Sequence, residues 1–166
     1  MVLLDLGNAA AVRRGHARLM ETADAHGLDA SGASGIDGVL VAEQVPRGLD
    51  LTCGMVRSAT GVPIYFGQHR APGVFSEPVT AAGPLTARDA RLLAHAVLTR
   101  GAGVPSRRAT DPSDRALADF FARLDRLVRR TGRRLSLVEV APLRVVGGDV
   151  IALDARIEQE PHVDGL

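Results

Sequence analysis

The sequence predicts an α+β fold in which helices pack on a mostly antiparallel sheet. Three observations lead to this prediction. Short apolar runs separated by turn residues follow one another between residues 39 and 79, two amphipathic helical patterns come next, and a hairpin pattern around Gly147-Gly148 closes the series. Strands joined by short turns pair with their neighbours in antiparallel fashion, and amphipathic helices bury their apolar side on such a sheet.

The composition is that of a folded domain. Hydrophobic residues make up 46% of the 166 residues but aromatic residues only 3%, so a core of Leu, Val, Ala and Ile is expected. All 20 basic residues are arginine, and they are spread along a chain of net charge +1, which argues against a nucleic-acid partner. Cys53 is the only cysteine, and neither a signal peptide nor a membrane-spanning apolar run is visible. A cytoplasmic location without membrane attachment is therefore expected.

The first half of the chain supplies most of the predicted strands. Residues 2–6 and 39–45 are predicted strands, and between them Asn8 caps a predicted helix. In residues 49–56 the alternation places four side chains on one face: Leu49, Leu51, Cys53 and Met55. After a turn at residues 58–61, the strand at 62–67 is predicted to point three side chains inward: Val62, Ile64 and Phe66. Residues 74–79 are predicted to form another short strand.

Two helices are predicted after these strands. Thr86 is the expected cap of the first, and Asp111 with Pro112 marks the start of the second, since proline is favoured at the first helical position. The second helix has the clearest helical spacing of apolar residues in the chain: Leu117, Phe120, Phe121, Leu124, Leu127 and Val128.

The final hairpin allows a strand register to be predicted. If Gly147-Gly148 are the two turn residues, Ala141 lies opposite Asp154, and Glu139 lies opposite Arg156. Simple alternation then places these four side chains on one face. It assigns the apolar residues of the return strand to the other face: Ile151, Leu153, Ala155 and Ile157.

The carboxylates of this hairpin are candidate metal ligands. Glu139 and Asp154 are diagonal neighbours, roughly 7 Å apart at the backbone, so their oxygens can approach one cation. Magnesium prefers hard oxygen ligands and usually takes only one or two of them from protein, the rest coming from phosphate and water. The pair is compatible with a Mg-nucleotide site. From spacing alone, a cross-strand ion pair between Glu139 and Arg156, beside an unrelated Asp154, is the more common arrangement.

Four collinear blocks of sequence resemble a known family. VEVAPLRVVGGDVIALDARI (138–157) is similar to the closing hairpin of ATP-grasp domains in ADP-forming acetyl-CoA synthetases and succinyl-CoA synthetase beta subunits, where the strands read E-I-N-P-L and ALDARI. GVLVAEQVPRGLDLTCGMVRSATGVPIYFG (38–67), PLTARDARLLAHAVLTRGAG and DRALADFFARLDRLVRR resemble the preceding strands and paired helices of the same family. The resemblance implies a fold like the C-terminal subdomain of ATP-grasp, with residues 1–160 a partial ATP-grasp-like domain and 161–166 a tail.

The resemblance also implies roles for individual residues. Asp154 matches the family's magnesium-binding aspartate, whereas the magnesium-binding asparagine of E-I-N-P-L is replaced by Ala141, which has no oxygen to offer. Glu139 matches the glutamate associated with phosphoryl transfer and is a second candidate metal ligand. Glu43 matches a glutamate near the adenine site, where it would bind the base or ribose, and Asp50 stands where the family usually has Glu.

Two departures from the family concern phosphate binding. The glycine-rich FGLGG turn is replaced by FGQHR (66–70), in which His69 and Arg70 are candidate cationic substitutes for backbone N–H groups. The family's N-terminal subdomain carries a nucleotide-binding lysine, but the sequence contains no lysine. None of the five histidines lies in the context of the family's phosphohistidine.

These matches and departures leave two functions open. The first is a subunit or fragment of an ADP-forming acid–CoA ligase. It would bind Mg-ATP or Mg-ADP weakly or with the help of a partner that carries the lid or the CoA-binding domains. The second is a non-catalytic interaction or regulatory module that keeps the ATP-grasp fold. Acyl-CoA synthesis by the chain alone is not expected in either case.

Overall fold

The computed structural model describes residues 1–27, 38–70, 77–100 and 112–159. Its contacts divide the chain into two compact units, Met1–Pro46 and Arg47–Leu166, which are described separately. The helices and strands, in chain order, are α1 (Ala9–Ala25), β1 (Leu49–Arg57), β2 (Pro63–His69), β3 (Val79–Ala82), α2 (Ala87–Thr99), α3 (Pro112–Thr131), β4 (Leu135–Val146), β5 (Asp149–Ala152) and β6 (Ala155–Gln159).

The first unit contains α1 and two segments, residues 1–7 and 38–46, that are neither helix nor strand. Asn8 caps α1 as predicted, because its side chain accepts a hydrogen bond from the N–H of Ala11. The strands predicted at 2–6 and 39–45 are wrong, since neither segment is a strand in the structure. Side chains link the two segments instead: Gln44 accepts a hydrogen bond from the Asp5 N–H and donates one to the Asp5 carboxylate. Apolar alternation makes a strand only where a neighbouring backbone is available to pair with it.

The second unit is built on a six-stranded sheet in the order β3-β2-β1-β4-β5, with β6 also pairing β4. Every strand pair in it is antiparallel. Helices α2 and α3 pack on each other and on the strands, α2 over β2 and β3, and α3 over β1, β4 and β5. The predicted fold class, α+β with helices packed on an antiparallel sheet, is confirmed.

One hydrophobic cluster fills the space between the helices and the sheet. From β1 it takes Leu51, Cys53 and Met55, the alternating set predicted from the sequence. The predicted N-terminal cap of α2 is confirmed, since Thr86 and Asp89 form a reciprocal capping box. The core side of α3 carries Leu117, Phe121, Leu124 and Val128, whereas Leu127, also predicted to be apolar-facing, is 41% exposed.

The predicted inward face of β2 is wrong. Tyr65, Gly67 and His69 are the buried residues, whereas Ile64 and Phe66 lie on the opposite face. The run of three large side chains at 64–66 has no apolar–polar contrast, so its inward face cannot be read from alternation. In the structure the Tyr65 hydroxyl donates to buried Asp125 on α3, which gives the phenol a partner only on the helix side.

The predicted hairpin register is confirmed. Val146 lies opposite Asp149, and the same register continues to Glu139 opposite Arg156. Gly147 and Gly148 both have positive φ, 60° and 90°, as a two-residue type I′ turn requires. Ala141 donates its N–H to the carbonyl of Asp154 at 3.1 Å, so these two residues also face each other as predicted.

The predicted grouping of side chains by face does not hold along the whole hairpin. Two steps along β1, from Leu51 to Cys53, lie opposite three steps along β4, from Leu143 back to Val140. The strand β4 therefore carries a bulge at Ala141-Pro142. The residues of β4 that face the core therefore have even numbers just before the bulge and odd numbers after it. The residues of β5 and β6 that lie opposite β4 change faces at the same place. Arg144 and its partner Ile151 lie on the face away from the helices, while Ala155 and Ile157 lie on the helix side.

Two further expectations concern the edges of the described chain. Of the strand predicted at 74–79, residues 74–76 lie outside the described residues, and β3 begins at Val79. The predicted tail at 161–166 also lies outside them. None of the helices in the described parts of the chain combines the length and apolar character needed to cross a membrane.

Candidate functional site

The sheet of the second unit has one face that the helices α2 and α3 do not cover, carrying Asp50, Thr52, Phe66, Glu139 and Arg144, which we call the open face. Glu139 lies opposite Gly54 of β1 and Arg156 of β6. Its side chain is half-buried, and it makes no hydrogen bond or ion pair with the described residues. Arg156 pairs with Glu158 on its own strand instead. The ion pair between Glu139 and Arg156 that the sequence left open is therefore not formed.

Asp154 lies between β5 and β6, at the point where the hairpin is interrupted. It is exposed, and its Oδ1 accepts the N–H of Ala155 at 2.8 Å, a local contact that orients the carboxylate. Its backbone faces Ala141. The structure thus brings Asp154 to the position opposite Ala141, where a methyl group stands in place of a possible oxygen ligand.

Asp50 is held by Arg144 across the β1–β4 pair. The guanidinium donates from Nε to Oδ1 at 2.7 Å and from Nη2 to Oδ2 at 2.9 Å, a bidentate arrangement. These hydrogen bonds hold the pKa of Asp50 below its ordinary value, against the opposing effect of burial, and the charge of Arg70 contributes further. The backbone N–H of Arg70 also donates to the Asp50 carbonyl. Asp50 and Arg70, both predicted from the sequence, therefore lie next to each other at one end of the open face.

The Asp50–Arg144 pair predicts a pH dependence of stability. Because the folded-state pKa of Asp50 lies below 3.8, the ionised form favours folding. The contribution of the pair is complete above about pH 5 and is lost as the pH falls through the folded pKa. The unfolding free energy of wild type minus that of Asp50→Asn should therefore shrink toward zero as the pH falls below about 4, as measured by urea unfolding. Asp119→Asn, a change at an exposed carboxylate on α3, is the matched control. A difference that stays constant down to about pH 2.5 would contradict the ion pair.

The segment FGQHR (66–70), which stands where the ATP-grasp family has its glycine-rich turn, forms the end of β2 and the residue after it. Gly67 faces the helices, where an added Cβ would lie 2.5 Å from Val97 Cγ2. His69 is buried, and its Nε2 lies 2.9 Å from the carbonyl of Val97. Of the two predicted cationic substitutes, His69 points toward the core, and only Arg70 is exposed, beside Asp50.

Glu43 belongs to the first unit. It is exposed and lines a cavity of about 1010 Å³ within that unit, together with Gln44. The other walls are mostly apolar and come from residues 1–6, from residues 38–42 and from α1, including Leu3, Val12, Leu19, Met20 and Leu40. Apolar walls with a few polar groups are typical of sites for small organic ligands.

The sequence of residues 1–158 matches the family model of the ATP-grasp domain. This chain belongs to the ATP-grasp family. The resemblance inferred from the hairpin and strand motifs is therefore confirmed. None of the curated proteins matches the sequence at a significant level.

Solved structures show that the similarity extends to the fold. The dinucleotide-forming acetyl-coenzyme A synthetase 1 of Ca. Korarchaeum cryptofilum, in complex with coenzyme A, acetyl-coenzyme A and a phosphorylated phosphohistidine segment, matches with a TM-score of 0.69, at 20% identity. The match covers 95% of this chain and 69% of that one. Its complex with coenzyme A and Ca-AMPCP gives 0.65, at 20% identity, with 91% and 65% covered. A protein of Pyrococcus horikoshii gives 0.67, at 20% identity, with 96% and 67% covered. The chain thus spans about two thirds of the length of these relatives.

The acidic residues of this ATP-grasp chain supply only some of the ligands that a metal ion needs. Among the described residues, no group of three or more His, Cys, Asp or Glu side chains converges on one point. Two carboxylates, those of Glu139 and Asp154, are present on the closing hairpin, and neither is engaged by a cation. This donor set suits a magnesium ion that arrives with a nucleotide and keeps phosphate and water as its other ligands.

Sequence reasoning missed Arg144 as the partner of Asp50. Its partner Asp50 is 94 residues away, and the contact exists because β1 and β4 are neighbours in the sheet. A strand register between distant strands is not encoded in local alternation, so this pair had no visible signal. By contrast, the hairpin register had one, because its turn residues are adjacent glycines.

Proposed function

We propose that this chain is the nucleotide-binding part of an ADP-forming acid–CoA ligase and that it acts with a partner. The observation that carries the proposal is the carboxylate of Glu139, which is half-buried on the open face without a partner among the described residues. A carboxylate held in a sheet without a counter-charge is costly unless a ligand supplies one. Membership of the ATP-grasp family makes a nucleotide with its metal the ligand that suits this position.

Glu139 and Asp154 are the proposed ligands of the nucleotide's magnesium, and Glu139 is the proposed catalytic residue. The metal, when bound, neutralises the charge on the phosphates. Glu139 would approach the metal from the open face, and the Oδ2 of Asp154 would approach it from the hairpin interruption, since its Oδ1 is occupied by the Ala155 N–H. With Ala141 opposite Asp154, the protein offers one oxygen fewer than the resembling family does, so weak binding is expected.

Arg70, Asp50 and Glu43 are the proposed nucleotide-binding residues. The exposed guanidinium of Arg70 is suited to a phosphate, and Asp50 keeps that end of the open face ordered through Arg144. The carboxylate of Asp50 is itself largely occupied by Arg144, so its part in nucleotide binding would be through water or through Arg70. Glu43 would hydrogen-bond the base or ribose from the wall of the apolar cavity in its unit.

The complete reaction needs groups beyond those described here. Acid, CoA and ATP would give acyl-CoA, ADP and phosphate, with an acyl phosphate and a phosphohistidine as intermediates carried by the partner. Similar structures were solved with coenzyme A and with a phosphohistidine segment, and this chain spans about two thirds of their length. A CoA-binding or lid-bearing partner subunit and a cytoplasmic location belong to the same proposal.

A non-catalytic interaction module is the second candidate. Ala141 in place of an oxygen ligand and the side chains of His69 and Arg70 in place of glycines favour it. In that case the open face would keep its shape without binding nucleotide.

The substitution Ala141→Asn separates the two candidates. It adds a side-chain oxygen opposite Asp154, so it should tighten binding of Mg-ATP at least about tenfold, which corresponds to one good charge-assisted contact of about 1.4 kcal/mol. Isothermal titration of Mg-ATP into both proteins measures the change, with and without the CoA-binding partner subunit. Titration of ATP in EDTA shows whether the gain depends on the metal.

The double variant Ala141→Asn/Glu139→Gln is the control for the site. It should lose the gain, whereas Ala141→Asn/Asp119→Asn, altered at an exposed carboxylate on α3, should keep it. If neither wild type nor Ala141→Asn binds Mg-ATP in either arrangement, the ligase proposal fails and the interaction module remains.

A further inference from the structure

The strand β6 leaves one edge of the sheet open. Within the described parts of the chain, β6 pairs with β4 alone, so the N–H and C=O groups on its other side have no strand partner. Helix α3 packs on β5 and β4, and Ile157 is 57% exposed although it lies on the helix side of the sheet. An open edge with an exposed apolar side chain is the usual site for pairing with another chain.

Charges along β6 are arranged in a self-complementary way. Arg156 and Glu158 flank Ile157 and lie on the same face of the sheet, with 70% and 44% of their side chains exposed. When a strand pairs with a copy of itself about a twofold axis, each residue meets its counterpart in reverse order. With Ile157 on the axis, Arg156 of one copy lies opposite Glu158 of the other, and the reverse pair forms on the other side of the axis.

Other registers are less favourable. A continuous sheet across the twofold axis requires opposed residues to lie on the same face, so the register changes in steps of two. The step in one direction places Arg156 opposite its own copy, and the step in the other direction places Glu158 opposite its own copy. Like charges directly opposite each other destabilise a strand pair, whereas opposite charges contribute roughly 0.2–1 kcal/mol each. Of these three registers, only the one centred on Ile157 has two attractive pairs and no repulsive one.

We propose that β6 pairs with β6 of a second copy of this chain, forming a symmetric dimer whose sheet continues across the twofold axis with Ile157 at its centre. The two Ile157 side chains then pack side by side on the helix-side face. The two ion pairs between Arg156 and Glu158, one within each copy, are exchanged for two pairs between the copies. A five-residue strand buries less area than a standard interface, so the dimer is expected to be weak, with a Kd on the order of 10–100 µM.

Sedimentation equilibrium of the full chain from about 5 µM to 1 mM measures this association. Arg156→Glu and Glu158→Arg each turn both attractive pairs into repulsive ones, so each variant alone should dimerise at least tenfold more weakly. An equimolar mixture of these two variants has complementary strands and should form a heterodimer. The double variant Arg156→Glu/Glu158→Arg should dimerise like wild type.

The mixture makes the test independent of any effect of a substitution on folding, since a misfolded variant would not be rescued by the other. Wild type that stays monomeric to 1 mM overturns the proposal, as do single reversals that dimerise like wild type or a mixture that stays monomeric. The proposal does not rest on nucleotide binding, because all measurements are made without nucleotide.

Discussion

Replacing Gly54 by alanine should destabilise the second unit by about 3 kcal/mol or more. A Cβ at this position would lie 2.0 Å from the carbonyl oxygen of Val138 and 2.9 Å from Cζ of Phe66. The first of these atoms belongs to the backbone of β4 and cannot rotate away. Relief therefore requires β1 and β4 to separate at the centre of the sheet, with loss of ladder hydrogen bonds. Urea unfolding followed by circular dichroism measures the change.

Gly7→Ala is the matched control, because no heavy atom lies within 4 Å of the added Cβ and the glycine has no positive φ. It should stay within about 0.5 kcal/mol of wild type. Since Gly54 lies opposite Glu139, the alanine variant should also weaken any Mg-nucleotide binding. A Gly54→Ala protein as stable as wild type would mean that the two strands are not as close as described.

Removal of the Asp125 carboxylate is the second change expected to have a large effect. Its Oδ1 accepts the Tyr65 hydroxyl at 2.8 Å and the Leu85 N–H at 3.0 Å, and its Oδ2 accepts Arg129 Nε at 2.6 Å. Tyr65 and Leu85 are buried, so Asp125→Ala leaves two buried donors without their acceptor. The expected loss is about 3–5 kcal/mol in the free energy of unfolding.

Tyr65→Phe removes one donor from the same network and leaves the carboxylate with its other partners. It should cost only about 1–2 kcal/mol. Burial, with the carboxylate of Asp125 beside it, raises the pKa of the Tyr65 phenol above its ordinary value, so the hydroxyl keeps its proton and remains a donor at neutral pH. If Asp125→Ala is no more destabilising than Tyr65→Phe in urea unfolding, the network contributes less than its geometry indicates.

The parts of the fold that sequence alone predicted are those determined by neighbouring residues. Asn8 and Thr86 mark helix starts through contacts within three residues, and the Gly147-Gly148 turn determines the register of the closing hairpin. Predictions based only on apolar alternation were less successful. The face of β2 was wrong because residues 64–66 are all large and apolar, and the network around Asp125 that decides it joins residues 60 positions apart.

The candidate site shows the same division. Glu139 opposite Arg156 and Ala141 opposite Asp154 followed from the register of one hairpin. The sequence did not predict that Glu139 would lack an ion-pair partner among the described residues. Arg156 had two carboxylates within reach, and its pairing with Glu158 depends on side-chain geometry. The predicted roles of Glu43, Asp50 and Arg70 rest on resemblance and remain to be measured.

The bulge at Ala141-Pro142 divides β4 into two segments. Next to the bulge, even-numbered residues face the core in one segment, and odd-numbered residues face it in the other. On its open face, Glu139 and Arg144 are five positions apart, an odd spacing that an unbroken strand would place on opposite faces. The bulge at Ala141-Pro142 supplies the extra residue that brings both side chains to the same face. The segment of β4 that carries Glu139 and the segment that carries Arg144 can therefore each keep its own register with β1.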